Sequence, residues 1–501
     1  MRVAIIGAGP RGLFAVERLW AHLPGQAEAE VVLFDPQPPG VGAAYDPGQP
    51  GHLRLNVTSS IVSAAWPGEN TVPALDAWRR ARGEAEPLDP FPPRALVGEY
   101  LSWFWRWLQE HAPGGATVRH RAQRVFSLRA GLAGGGLVDG EPFDEVLLAT
   151  GHELTWPGKL SGDAVVPAVF PIDVWLTEER IPAGSAVAVR GAALTFIDAA
   201  LALTEGRGGR FDGDGRLVYH PSGREPRVIW PIARAGRWMD PKPQPGTAPA
   251  DAPAAVLEEG RQAVLDAATA EESLGAVAEV AARLGADSAQ IAELLEPLHG
   301  DPTALLRARL VAMLGDGDPG AAWALGHAWR GLYDALRSRF EGTGEGFAPF
   351  ADLAGRLERV AFGPPPVNAA KILALIDAGI IDPASLQQSS IAGAVPEGLP
   401  GAADVVVDAV LAPPGVVEGS LVADLVEAGV LHSPPGRRGV AVGDDASCLD
   451  AEGRAVRALA CIGRATEDVV IGNDTLNRAL HPAVDGWARR IASISEKGST
   501  S

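Results

Sequence analysis

The sequence predicts an α/β fold made of two nucleotide-binding units, a Rossmann-type first domain carrying an inserted second Rossmann-like unit, plus an α-helical lobe. Three observations predict it. A short apolar strand at the start of the chain runs into a glycine-rich turn and an amphipathic helix, a second strand-glycine-helix succession follows near residue 190, and from 254 to 357 Ala, Leu, Glu and Arg recur with helical periodicity.

Taken in order, residues 3–6 read as a buried strand, 13–22 as a helix and 31–34 as a second strand. Residues 143–150 form a compact strand closed by Gly151, the pattern of a strand that returns to a bound nucleotide. The second unit begins with a strand at 186–190, turns at Gly191, continues as a helix at 194–204 and gains a further strand at 217–220. A Pro- and Ala-rich linker at 244–253 leads into the helical lobe, where Trp323, Trp329 and Tyr333 stand at helical spacing and read as core packing. Gly363-Pro364-Pro365-Pro366 stops the lobe, and short β-like runs precede a last helix near Trp487. The predicted division is 1–160 for the first segment of the first domain, 161–245 for the second unit and 246–362 for the lobe. A return to the first domain over 363–495 and a frayed tail at 496–501 complete it.

Composition narrows the function classes. The chain has 501 residues, of which 47% are hydrophobic, enough for two or three packed domains. A net charge of −19 repels phosphate backbones and anionic lipid, which predicts neither a nucleic-acid nor a membrane partner. Apolar runs are interrupted, as by Arg190 and Asp198, well short of the ~20 residues that span a bilayer, and the N-terminus lacks the pattern of a secretory leader. A cytoplasmic location is expected. Cys448 and Cys461 lie thirteen positions apart with no CxxC, which argues against a disulfide scaffold or a dithiol relay and for inert buried thiols. No His, Cys or Asp grouping has ligand spacing, so no metal site is predicted.

Gly7-Ala8-Gly9-Pro10-Arg11-Gly12 satisfies the GxGxxG fingerprint directly after an apolar strand and before an amphipathic helix, the context that makes a weak motif specific. Gly7 permits the tight turn, Gly9 removes a side chain from the path of a pyrophosphate, and Gly12 allows close helix–strand packing. The amide donors of the helix start face the diphosphate, with Pro10 and Arg11 at that start. Asp35 ends the second strand 23 residues beyond Gly12, where a carboxylate accepts both ribose hydroxyls and disfavours a 2′-phosphate. FAD is the predicted cofactor, given the position of the motif at the start of the chain, the distant Ala149-Thr150-Gly151 strand end and a second unit able to take NADPH or NADH.

The chain resembles a bacterial FAD/NAD(P)-binding protein family distantly related to flavin-dependent N-hydroxylating monooxygenases. The resemblance is carried by Gly40-Val41-Gly42-Ala43-Ala44-Tyr45, Leu53-Arg54-Leu55-Asn56-Val57, Phe91-Pro92-Pro93-Arg94, Ala149-Thr150-Gly151-His152 and Gly463-Arg464-Ala465-Thr466-Glu467-Asp468. It implies a bound flavin and a flavoprotein plan with two nucleotide folds.

Several residues are candidates for chemistry within that plan. Asn56 reads either as a hydrogen-bonding group near the flavin ring or substrate, or as a turn cap. Arg94 reads as a contact to FAD ribose or diphosphate, or as a surface partner of Glu99. His152 follows a strand end at the cofactor and is either an acid–base group or structural. In the second unit, Gly191 is followed by Ala193 and Phe196 where glycines are usual, while Ser222 and Arg224 follow the strand at 217–220 and suit a 2′-phosphate. Backbone amides from Gly463 to Thr466 are placed to stabilise charge on the reduced flavin. The favoured function is an NAD(P)H-using flavin monooxygenase acting on a small molecule such as an amine. A flavin oxidase or dehydrogenase without nicotinamide cofactor and a non-catalytic flavin-binding protein are the alternatives.

Overall fold

The computed structural model describes residues 1–130, 135–153, 158–213, 215–250, 253–342, 344, 346–392 and 395–498. Strand β1 (Arg2–Ile6) is an apolar run buried along nearly its whole length, as the central strand of a parallel sheet must be. Helix α1 (Pro10–His22) begins on proline, at the position where a missing N–H is not needed. Strand β2 (Ala29–Phe34) lies parallel to β1 with Phe34 opposite Ile6. Helix α2 (Arg94–Glu110) leads to β3 (Ala116–Arg121) beside β2, and β4 (Glu145–Leu148) takes the other side of β1.

The chain then builds a second sheet from β5 (Val165–Val166), β6 (Ala186–Arg190) and, after helix α3 (Leu194–Leu203), β7 (Val228–Ile232). The lobe follows, centred on α4 (Gly320–Phe340) and α5 (Phe347–Ala361), with Trp329 fully buried and stacked on Phe350 at 5.7 Å. Strand β8 (Val405–Asp408) completes the second sheet. Only then do β9 (Ser447–Leu449) and β10 (Ala455–Cys461) rejoin the first, before the final helix α6 (Ala483–Gly498) packs on α1.

The first sheet has the order β9-β10-β4-β1-β2-β3, parallel except for β9, and the second has β7-β6-β8-β5, parallel throughout. In the first sheet the chain reverses direction of travel at β1, between β2 and β4, so the carboxyl ends of β1, β2, β4 and β10 open onto one crevice.

Three expectations change. Residues 363–495 do not return directly to the first domain, because the Val405-Val406-Val407 run, buried at every residue, inserts between β6 and β5 of the second sheet. The strand at 217–220 forms as Val218–His220, but in a separate antiparallel hairpin with Arg210–Asp212, and β7 is the true neighbour of β6. Burial explains the difference: Val218–His220 alternates exposed and buried, whereas β7 is buried over its last four residues. Finally, the expected tail from 496 is helical through Gly498, and 499–501 lie outside the described residues.

Candidate functional site

A cleft of about 380 Å³ occupies the crevice at the carboxyl ends of the first sheet. Of the residues singled out in the sequence, Gly7, Gly9, Pro10, Arg11, Asp35, Gly151, His152 and Gly463 all line it. Gly7 has φ +112°, and a Cβ there would sit 2.4 Å from the Ala149 carbonyl oxygen at the end of β4. A Cβ on Gly12 would stand 2.2 Å from the Gly7 carbonyl oxygen, so this glycine seats helix against strand. Gly9 is different, because its Cβ would meet only the Gly42 backbone, Cα at 3.4 Å and N at 3.9 Å. The Asp35 carboxylate accepts the Ala8 N–H at 2.9 Å and the Gln37 N–H at 2.8 Å, which holds it at the end of β2.

Arg11 reaches across the chain rather than into open cleft. Its Nη2 donates to the Thr475 carbonyl at 2.9 Å and stands 2.6 Å from His481 Nε2. Burial and the Arg11 charge push the His481 imidazole well below its usual range, which leaves a neutral nitrogen to accept from the guanidinium. The arginine thereby ties the glycine loop to the turn at 473–475, whose residues form the opposite wall.

His152 sits at the cleft with its imidazole pushed down to about 4, first by burial and then by Arg464. It is neutral at physiological pH and holds no proton to donate as an imidazolium. Glu467 lies beside the same arginine, and burial raises its carboxyl to about 7 although Arg438 and Arg464 oppose the shift. This carboxyl titrates near neutrality, and the sequence reading passed over it.

Other expected residues are placed elsewhere. Thr466 is fully buried, donates its hydroxyl to the Gly463 carbonyl at 2.8 Å and faces a second cavity of about 280 Å³ behind the glycine loop. Arg94 is outside the cleft: it ion-pairs with Asp198 on α3 and donates to the Arg54 carbonyl at 3.0 Å, while Glu99 pairs instead with Arg82. Asn56 offers its main-chain carbonyl to Lys242 Nζ. Gly191 turns the chain after β6 with φ +108°. Ser222 and Arg224 follow the hairpin, not β7, and are engaged there, Ser222 with the Arg207 carbonyl and Arg224 with Glu178. The residue that follows the carboxyl end of β7 is Ala233, and after it comes the exposed Arg234. Cys448 and Cys461 are both buried and free.

Residues 4–153, which contain the fingerprint, Asp35 and His152, match the profile of a family described as FAD-NAD(P)-binding. This part of the chain is an FAD-NAD(P)-binding domain. The chain is similar to nitrosuccinic acid synthase from Aspergillus oryzae, with 34% identity over 45% of this chain and 39% of that protein. An L-aspartate N-monooxygenase (nitrosuccinate-forming) from Streptomyces davaonensis is 33% identical over 45% of this chain and 42% of its own length. The chain thus spans about two fifths of the length of the curated relatives it matches. Over the whole chain the fold is that of the reduced form of ornithine hydroxylase from Pseudomonas aeruginosa, with a TM-score of 0.52, 14% identity and coverage of 98% of both chains. Among the described residues, no helix is long and apolar enough to cross a membrane, and no group of three His, Cys, Asp or Glu is placed to hold a metal ion.

The cleft walls that escaped the sequence reading are 123–126 and 415–424. Neither carries a local motif. Arg464 does stand in one of the strings that carried the resemblance, and its position next to Gly463 was the available signal.

Proposed function

We propose that the chain is an FAD-dependent monooxygenase that takes electrons from NADPH or NADH and oxidises the nitrogen of a small amine. The observation that carries the reading is the joint one: an FAD-NAD(P)-binding domain whose fingerprint glycines, Asp35 and Gly463 face one cleft, in a chain partly similar to L-aspartate N-monooxygenases. The cleft fits FAD. Gly9 leaves the approach to the first amides of α1 free of side chain, and Asp35 is held by two amides at the end of β2, where ribose hydroxyls bind. Bound there, FAD supplies the electron storage and oxygen chemistry of the reaction.

The protein's own part is positional and electrostatic. Arg11 fixes the 473–475 turn against the glycine loop. Arg464 and the Gly463 turn place positive charge and amide donors at the end of β10. The Gly191 turn and the end of β7, with Arg234, form the second nucleotide site. Units 1–160 and 161–245, with β8 added to the second, serve these two sites, and the lobe at 246–362 borders the substrate.

The decisive experiment is the absorption spectrum of the protein supplied with FAD, followed by anaerobic addition of NADPH and, separately, NADH. The expected result is a flavin band that bleaches with a nicotinamide nucleotide, and aerobic nucleotide oxidation that yields a hydroxylamine or more oxidised nitrogen product from a small amine. Protein that takes up no FAD overturns the reading. Flavin that bleaches with substrate alone and never with NADPH or NADH replaces it with an oxidase or dehydrogenase.

A further inference from the structure

Two cavities share one wall. Arg11, Gly463 and Asn473 line both the cleft and the cavity of about 280 Å³ behind the glycine loop. Gly463 puts no side chain into that wall, and a Cβ there would meet only the Arg11 Cγ at 3.6 Å. The rest of the second cavity is largely apolar, built from Phe14 on α1, Ile462 after β10, Val484 on α6, and Val442, Val469 and Leu480 from the connecting turns. It is also lined by Asp444, which is exposed, so the cavity lies between the cleft and solvent. The cations on its walls are already engaged: Arg337 pairs with Glu341 at 2.6 Å, Arg478 with Glu17 at 2.6 Å, and Arg11 is turned to the Thr475 carbonyl at 2.9 Å. Thr466 donates to the Gly463 carbonyl at 2.8 Å and Asn473 Nδ2 to the Val470 carbonyl at 2.7 Å. Asn473 Oδ1 and Arg478 Nε are left without partners among the described residues.

We propose that this second cavity takes up dioxygen and passes it through the shared wall to the cleft. The proposal deepens the monooxygenase reading and rests on it for the need for dioxygen. A wall that is mostly apolar and whose charged groups are occupied offers little to an ion, which would lose its hydration without replacement. A small neutral molecule loses almost no hydration on entering and gains dispersion contacts with the walls. Apolar cavities on the order of 150 Å³ stay dry and admit benzene or xenon, so the space here is ample for a diatomic gas. The glycine in the shared wall supplies the thinnest partition between the two spaces, next to the β10 end where the cleft closes.

Xenon is the probe of the cavity, and the reoxidation of reduced flavin is the probe of the route. In crystals of the FAD-loaded protein pressurised with xenon, the expected result is a xenon atom among Phe14, Ile462 and Val484. Val484→Phe should abolish that site. In the same variant, photochemically reduced flavin mixed with dissolved oxygen should be reoxidised severalfold more slowly than in wild type, at unchanged FAD content and flavin spectrum. If Val484→Phe does not fold, Val442→Phe, at a half-buried position two residues from Asp444, fills the cavity from its solvent side and carries the comparison. Wild-type protein with no xenon in the cavity, or filled variants reoxidised at the wild-type rate, would each overturn the proposal. Photochemical reduction keeps the two readings apart: slow reoxidation in the filled variants of a protein whose flavin neither NADPH nor NADH reduces would leave the oxygen route standing and overturn the monooxygenase reading alone.

Discussion

The three fingerprint glycines answer to different neighbours, and that difference separates a ligand's demand from the fold's. A methyl group at Gly12 collides with backbone at 2.2 Å, whereas one at Gly9, which lines the cleft, meets only the Gly42 backbone at ordinary contact distance, the nearest atom being Cα at 3.4 Å. Gly12→Ala should therefore destabilise the protein itself, by about 1–3 kcal/mol as for other overpacked sites, read from denaturant midpoints without cofactor. Gly9→Ala should leave the cofactor-free midpoint nearly unchanged and weaken FAD binding, read by fluorescence titration. Equal loss of FAD affinity and stability in both variants would remove Gly9 from the phosphate path. These roles were legible in the sequence because a phosphate loop imposes them over six consecutive residues. Arg11 stands at the helix start of the same motif, yet its partners Thr475 and His481 lie more than 460 residues away and no local pattern announces them.

At the scale of elements, the sequence showed which segments are strands better than which sheet they join. A run such as Val405–Asp408, apolar until its last residue, states that both faces are covered but not by what, and a long lobe intervenes before it pairs with β6. The same ambiguity bears on the nucleotide discriminator, because Ser222 and Arg224 follow the hairpin rather than β7. A 2′-phosphate is recognised after the strand next to the first one of a nucleotide fold, which here is β7. Arg234→Ser should accordingly lower the preference for NADPH over NADH in anaerobic flavin reduction, and Arg224→Ala, which breaks only an exposed pair with Glu178, should not. The reverse pattern would return the discriminator to the hairpin. The joint between the two units has its own signature in the ion pair of Arg94 on α2 with Asp198 on α3, whose carboxylate is buried. Burial raises the Asp198 carboxyl even though Arg94 opposes the shift. Asp198→Ala would strand the arginine beside the second unit and should cost about 3–5 kcal/mol. That loss would appear as a lowered unfolding midpoint, and an unchanged midpoint would show that the pair does not brace the two units.

Across the whole molecule, packing three cores against one another leaves imidazoles where protons are unwelcome. His52, His152 and His327 belong to three different parts of the chain, and burial pushes each of them down to about 4. His52 is the clearest case: it is buried against Gly206 of the second unit, and its Nε2 has no hydrogen-bond partner among the described residues. Between the ordinary histidine value of 6.5 and about 4, the unfolded chain holds a proton on this ring and the folded chain does not. Stability from His52 is thus fully present above about 6.5 and is lost as pH falls toward 4. Glu467, raised to about 7, contributes in the opposite sense, because there the folded state holds the extra proton, and other buried carboxyls such as Asp198 and Asp240 share its sign. The total profile mixes both signs, so the informative quantity is a difference. In paired melts of wild type and His52→Leu, the variant should gain on wild type steadily as pH falls from about 6.5 to about 4, while above pH 7 the gap between them should be constant. A gap that stays constant through the acid window would mean that His52 is protonated in the folded protein, and that the seam between the first and second units admits the water or counter-charge needed to hold it.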